Sequence, residues 1–124
     1  MTKEMLSLRL SGGSEAPTRA RAALGGVNGS LAGLSQSVRL LVSELVTNSV
    51  KHAGAGPDQF IEVELTSSPR GVRVEVADRG PGFDPSGARR EPGGFGLLLV
   101  EQIADRWGVD FENGSRVWFE IDQP

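Results

Sequence analysis

The sequence predicts an α+β fold, a two-layer sandwich with helices on one face of a mostly antiparallel sheet. Pairs of segments with alternating apolar residues, joined by turns, are typical of antiparallel hairpins. Apolar stripes with helical spacing occur between these pairs. With 124 residues, 38% of them hydrophobic and 23% charged, the chain is expected to form a single domain over residues 1–124.

The first half of the chain predicts one strand and two helices. Residues 5–10 alternate apolar and polar side chains, which indicates a half-buried strand. A helix is expected over residues 14–24, because Gly25-Gly26 can end it. A longer helix is expected over residues 34–53, where apolar residues recur at spacings of three and four.

The second half predicts two hairpins separated by a long loop and a helix. The loop, residues 79–95, has no periodicity and is rich in Gly, Pro and Arg. Asn113-Gly114 is a strong signal for the turn of the last hairpin. The expected elements are strands over 60–66, 72–77, 109–112 and 116–121, a five-residue turn at 67–71, and a helix over 96–107.

Charge and composition limit the function classes. The net charge is −3, with 13 basic and 16 acidic residues, which argues against a direct nucleic-acid partner. The absence of cysteine excludes disulfides and thiolate metal sites. No apolar run approaches the roughly 20 residues of a membrane span, and the N-terminus lacks a signal-peptide stretch. We therefore expect a cytoplasmic protein without a membrane partner.

Glu44 and Asn48 are the first candidate site residues. They lie one turn apart at the edge of the apolar stripe of the second helix, and Lys51 and His52 continue that edge. An Asn oxygen suits Mg²⁺, and an ionised Glu can orient or deprotonate a hydroxyl. The helix alone is also compatible with a solvated polar edge, so both interpretations stay open.

Asp78 is the second candidate. It continues the alternation of Val72, Val74 and Val76, which predicts that it points to the core side. A buried carboxylate needs hydrogen-bond donors, and the exocyclic amine of adenine is one. Gly80-Pro81-Gly82 would let a flat ring approach the backbone. The alternative is a tight turn in which Asp78 caps local amides.

A glycine-rich segment, Gly93-Gly94-Phe95-Gly96, precedes the helix expected near Leu97. Amides at a helix start favour phosphate, and Arg89-Arg90 in the preceding loop could close over it or be solvated. The segment matches neither the Rossmann fingerprint nor a Walker loop. A flexible junction between loop and helix is the alternative interpretation.

In this order and spacing, the three motifs resemble those of the GHKL ATPase superfamily, which includes gyrase, heat-shock chaperones and histidine kinases. Residues 44–48 resemble its N box, residues 78–82 its first glycine box, and residues 94–96 its second. Ser115 lies where the family usually has a Thr on a late strand. The resemblance covers about residues 5–122 and implies the Bergerat fold.

Within the superfamily, the chain is most similar to the small bacterial anti-sigma-factor serine/threonine kinases. The phrases at residues 43–53 and 78–83 carry this similarity. The resemblance implies a kinase that uses ATP and Mg²⁺, phosphorylates a Ser or Thr of an anti-sigma-factor antagonist, and sequesters a sigma factor. It also suggests a homodimer.

The resemblance also assigns roles to residues. Asn48 would coordinate Mg²⁺ and Glu44 would be the general base. Asp78 would accept from the adenine amine, with Ser115 supporting it directly or through water. The remaining nucleotide-binding candidates are Gly80 and Gly82, which would admit the adenine, the amides around Gly94, Gly96 and Leu97, which would hold phosphate, and Lys51 and His52.

Two other functions remain compatible with the residues. One is a nucleotide-binding switch module that binds ATP and a partner without efficient phosphoryl transfer. The other is a domain that binds no nucleotide and shares the pattern by chance. Glu44 favours the kinase over the switch, because a pure binding module has no need of a base at that position.

Overall fold

The computed structural model describes residues 2–27, 33–51, 58–78, 97–110 and 114–123, and it confirms the α+β architecture. The elements are β1 (Lys3–Ser11), α1 (Ala16–Gly25), α2 (Ser35–Lys51), β2 (Phe60–Ser68), β3 (Gly71–Asp78), α3 (Leu97–Ile103), β4 (Arg106–Asp110) and β5 (Ser115–Asp122). The strands form one antiparallel sheet in the order β1-β2-β3-β5-β4. None of the described helices has the length and hydropathy required to cross a membrane.

The core lies between the helices and one face of the sheet. Strand alternation places every second residue of β2, β3 and β5 on this face, and the register sets Val74 between Leu65 and Phe119. All three side chains are fully buried. The apolar stripe of α2 covers this face with Val38, Leu41, Val42, Leu45 and Val46. Burial of these side chains is the main favourable contribution to folding.

The turn between β2 and β3 is tighter than the sequence predicts. Pairing continues to Ser68 opposite Gly71, so only Pro69 and Arg70 connect the strands, and the expected five-residue turn is wrong. Gly71 is required here, because a Cβ at this position would lie 2.1 Å from the carbonyl oxygen of Ile121. The close passage of β5 therefore explains the glycine.

The helix expected over residues 96–107 is too long. It ends at Ile103, and the Asp105 amide donates to the Glu120 carbonyl over 2.8 Å. The chain then pairs with β5, which places Trp107 on a strand opposite Phe119. Sheet pairing prevails over the helical periodicity of this segment. The last hairpin consequently starts at Arg106, three residues before the expected position.

The opposite face of the sheet carries an ion-pair network. Arg73, Glu120 and Arg106 lie directly opposite one another across β3, β5 and β4. Glu120 Oε2 accepts from Arg73 Nη1 over 2.8 Å, and Glu120 Oε1 accepts from Arg106 Nε over 2.6 Å. Arg106 also donates to both carboxylate oxygens of Asp122. These cross-strand pairs join the three strands on the solvent side.

The two guanidinium groups lower the pKa of Glu120 below its ordinary value of 4.5, Arg106 by its hydrogen bond first and Arg73 second. Because this pKa is depressed in the folded protein, the stabilisation is present above pH 4.5. It is lost as the pH falls through the folded-state pKa.

We predict that Glu120→Gln lowers the free energy of unfolding at pH 7 by about 1 kcal/mol, because Gln cannot form the charged pairs. Urea denaturation at pH 7, 5 and 3 measures the effect, and the difference from the wild type should become smaller as the pH falls below 4.5. Glu64→Gln, an exposed β2 residue on the same face, is the control and should change little. A loss of the same size at pH 3 and pH 7 would show that packing, and not charge, is responsible.

Candidate functional site

Asp78 is the centre of the candidate site. It is the last residue of β3 and is only 4% exposed, which confirms that it points to the core side. Its Oδ2 accepts a hydrogen bond from Ser49 Oγ over 2.8 Å and another from Ser115 Oγ over 2.7 Å. A buried carboxylate requires such donors, and here they come from two other elements.

The folding pattern explains why these three residues meet. Strand register places Asp78 opposite Ser115 on one side and Ile61 on the other, all on the helix-facing side of the sheet. Ser49 follows Leu45 by four residues and so lies on the buried face of α2. Ser49, Asp78 and Ser115 therefore form a polar cluster at one end of the apolar core. This cluster joins α2, β3 and β5.

Ser49 was not among the residues that the sequence analysis identified. The available signal was its place in the apolar stripe of α2, where a hydroxyl needs a buried partner. That partner lies 29 residues further along the chain, so sequence spacing could not identify it.

Asn48 is buried, and the interpretation of this residue as part of a solvated edge is wrong. It is 3% exposed, and its Nδ2 has no hydrogen-bond partner in the described part of the chain. An unsatisfied buried amide costs about 1–3 kcal/mol. A 180° rotation of the carboxamide would place its oxygen in the same position. The residue therefore fits a ligand-binding role, and a carboxamide oxygen is a suitable ligand for Mg²⁺.

The other candidates on α2 are less buried. Glu44 is half-buried one turn before Asn48, and no ion pair between described residues involves it. Lys51 is exposed at the end of the helix. Glu44 thus lies beside the buried carboxamide of Asn48, at the border between core and solvent. Its carboxylate can contact a group bound at Asn48 and can also pass a proton to water.

Of the phosphate-binding candidates near the glycine-rich segment, only Leu97 belongs to the described residues. Leu97 is the first residue of α3, as expected, and its side chain is 1% exposed, so only its backbone could contact a ligand. Candidates that fall outside the described residues are His52, Gly80, Gly82, Gly94 and Gly96, together with Arg89-Arg90.

A cavity of about 940 Å³ borders the cluster at the end of β3. Asp78 and Ser115 line it, together with Phe60 and the outward-facing Arg9 of β1. The Arg9 guanidinium stacks on the Phe60 ring at 4.1 Å from the ring centroid. Arg9 and Phe60 lie on the sheet face opposite the helices, as do the further lining residues Glu62, Ala77 and Arg116. The cavity therefore opens mainly on the outer face, whereas the Asp78 carboxylate points to the helix-facing side.

Comparison with known proteins gives a consistent result. The family model of the histidine kinase-like ATPase domain matches residues 14–121. The serine-protein kinase RsbW of Listeria monocytogenes serotype 4a (strain HCC23) is 31% identical over 133 residues, which cover 92% of this chain and 84% of that protein. The sensor-type histidine kinase PrrB of Mycobacterium tuberculosis (strain ATCC 25618 / H37Rv) is 30% identical over 114 residues, 76% of this chain and 25% of that protein.

A solved structure supports the fold. The RsbU and RsbW domains of Rv1364c from Mycobacterium tuberculosis superpose on 97% of this chain with a TM-score of 0.65. The sequence identity is 18%, so the likeness concerns the fold alone. The present chain spans 34% of that chain.

We predict that Asn48→Leu stabilises the ligand-free protein by about 1 kcal/mol and abolishes binding of ATP in the presence of Mg²⁺. Leu has the same branched shape but no buried donor without a partner. Urea denaturation and titration calorimetry measure the two effects. Gln36→Leu, an exposed site on the same helix, is the control for helix propensity and should leave binding unchanged. Retained ATP affinity in Asn48→Leu would contradict the assignment of Asn48 to the site.

Proposed function

Because this chain belongs to the histidine kinase-like ATPase domain family, we propose that it is an ATP-dependent serine/threonine protein kinase that acts as an anti-sigma factor. The structural observation that carries the proposal is the adjacency of two buried polar groups. Ser49 binds the Asp78 carboxylate, and the preceding residue in α2 is Asn48. A group suited to a nucleobase, on β3, is thus bonded to the residue of α2 that follows a group suited to a metal–phosphate complex.

Asp78 is proposed to recognise the base. Its carboxylate is an acceptor when ionised, and the exocyclic amine of adenine is a donor. The two serine hydroxyls hold this carboxylate in place at the end of β3, on the helix-facing side of the sheet. A fixed acceptor at that place orients the purine before the phosphates are engaged.

Asn48 is proposed to be the protein ligand of Mg²⁺, through its side-chain oxygen. When bound, Mg²⁺ neutralises charge on the phosphates of ATP during transfer. The buried position of Asn48 fixes its carboxamide without a flexible loop. Its Nδ2, which has no hydrogen-bond partner in the described part of the chain, supports this role, because a rotation of the carboxamide toward a metal would break no hydrogen bond of that nitrogen.

Glu44 is proposed to be the general base. It lies one helical turn before Asn48, and it would accept the proton of the attacking Ser or Thr hydroxyl of the partner protein. The hydroxyl oxygen then forms a bond to the γ-phosphorus, the bond from that phosphorus to the bridging oxygen breaks, and ADP leaves. Most of the rate enhancement in such reactions comes from positioning and charge neutralisation.

The partners follow from the resemblance to the anti-sigma-factor kinases. The substrate would be a Ser or Thr of an anti-sigma-factor antagonist, and the sequestered protein a sigma factor, so that transcription is regulated in the cytoplasm. We propose that residues 1–124 act as one domain and that the protein forms a homodimer. The switch module that transfers no phosphate is the less favoured alternative, because the relatives that match 92% of the chain are serine-protein kinases.

The direct experiment is incubation with γ-labelled ATP, Mg²⁺ and antagonist proteins encoded near its gene. We expect label on a Ser or Thr of one of these proteins. Nucleotide binding without transfer to any of them would support the switch module, and absence of nucleotide binding would reject both functions.

We predict that Glu44→Gln lowers the transfer rate about 10²–10⁴-fold and changes ATP affinity less than about twofold, because only the proton acceptor is lost. Single-turnover kinetics and calorimetry measure the two quantities. Glu101→Gln, at an exposed position of α3, is the control and should alter neither the transfer rate nor the ATP affinity. Transfer at the wild-type rate in Glu44→Gln would exclude Glu44 as the base.

A further inference from the structure

Ser49 uses its hydroxyl in an unusual way for a residue inside a helix. Hydroxyls within helices commonly donate to the backbone carbonyl one turn earlier, as Thr47 does to the carbonyl of Ser43 over 2.8 Å. The Ser49 hydroxyl instead donates across the core to Asp78, on a different element. Ser49 is 4% exposed, so water does not compete for this bond.

The number of hydroxyl protons in the cluster of Ser49, Asp78 and Ser115 limits the hydrogen bonds that it can form with a ligand. A serine hydroxyl has one proton and two lone pairs. Ser49 and Ser115 both direct their protons to Oδ2 of Asp78. In this arrangement, the oxygens of all three side chains can act toward a ligand only as acceptors. A ligand group that forms a hydrogen bond with one of these oxygens must therefore be the donor.

We propose that Ser49 is a positioning and specificity-determining residue of the nucleotide site. With Ser115, it orients the Asp78 carboxylate as an acceptor, so that the site favours a purine with an amine at C6 over one with a carbonyl. This inference rests on the proposed ATP-dependent function and deepens it. It assigns to α2 a role in base selection in addition to its role in metal binding.

The physical basis is the mismatch that a carbonyl would create. A C6 amine donates to the acceptor cluster, whereas a C6 carbonyl places another acceptor against it and leaves buried groups unpaired. This discrimination requires that the carboxylate cannot rotate or recruit a proton to adapt. Two donors on one oxygen, one from α2 and one from β5, resist such rearrangement.

The test compares ATP with inosine triphosphate, whose base carries a carbonyl at C6 in place of the amine and a proton on N1. Affinities for both, with Mg²⁺, are measured by calorimetry for the full chain and for Ser49→Ala and Ser49→Cys. We expect the wild type to prefer ATP. In each variant, the preference should fall about tenfold, which corresponds to one lost hydrogen bond to a charged group. The transfer rate at saturating ATP should change less than about threefold, because Ser49 touches no reacting atom.

Ser43→Ala is the matched control, since it removes a hydroxyl from the same helix that contacts Arg21 and not Asp78. It should leave the preference unchanged. An unaltered preference in both Ser49 variants, or an equal loss of affinity for the two nucleotides, would overturn the inference while the kinase function stands. Failure of both variants to fold would likewise make Ser49 a structural residue only. A wild type that does not distinguish the two nucleotides would reject the proposed base site, and the inference with it.

Discussion

The structure depends on one buried interaction, the pair of hydrogen bonds from Ser49 and Ser115 to the carboxylate of Asp78. A carboxylate with 4% exposure is costly unless it has donors, and here the donors come from a helix and a neighbouring strand. The same bonds that make burial of the charge tolerable therefore fix α2, β3 and β5 relative to one another. In the proposed kinase, this cluster holds the residue that selects the base next to the residue that binds the metal.

The rest of the fold supports this cluster from both sides of the sheet. On the inner face, the apolar stripe of α2 belongs to the buried core and contacts β3. On the outer face, Glu120 joins Arg73 and Arg106, which ties β5 to its two neighbours. Close packing on the inner face and the ion pairs on the outer face keep β5 in register with β3. Ser115 is therefore held opposite Asp78.

Local patterns in the sequence were sufficient for much of this account. Alternation predicted the sheet and the inward direction of Asp78, and the apolar stripe predicted α2. Features that depend on distant partners were not predictable. Trp107 belongs to a strand because β5 offers a pairing partner, and the β2–β3 turn is short because pairing continues to Gly71. The role of Ser49 likewise follows from a residue 29 positions away.

We propose that the Asp78 cluster and Asn48 form one nucleotide site. A crystal structure of the protein with Mg²⁺ and a non-hydrolysable ATP analogue tests it most directly. We expect the adenine amine within hydrogen-bond distance of the Asp78 carboxylate and the Asn48 side-chain oxygen on the metal. A nucleotide bound elsewhere, or an adenine that makes no contact with Asp78, would contradict it.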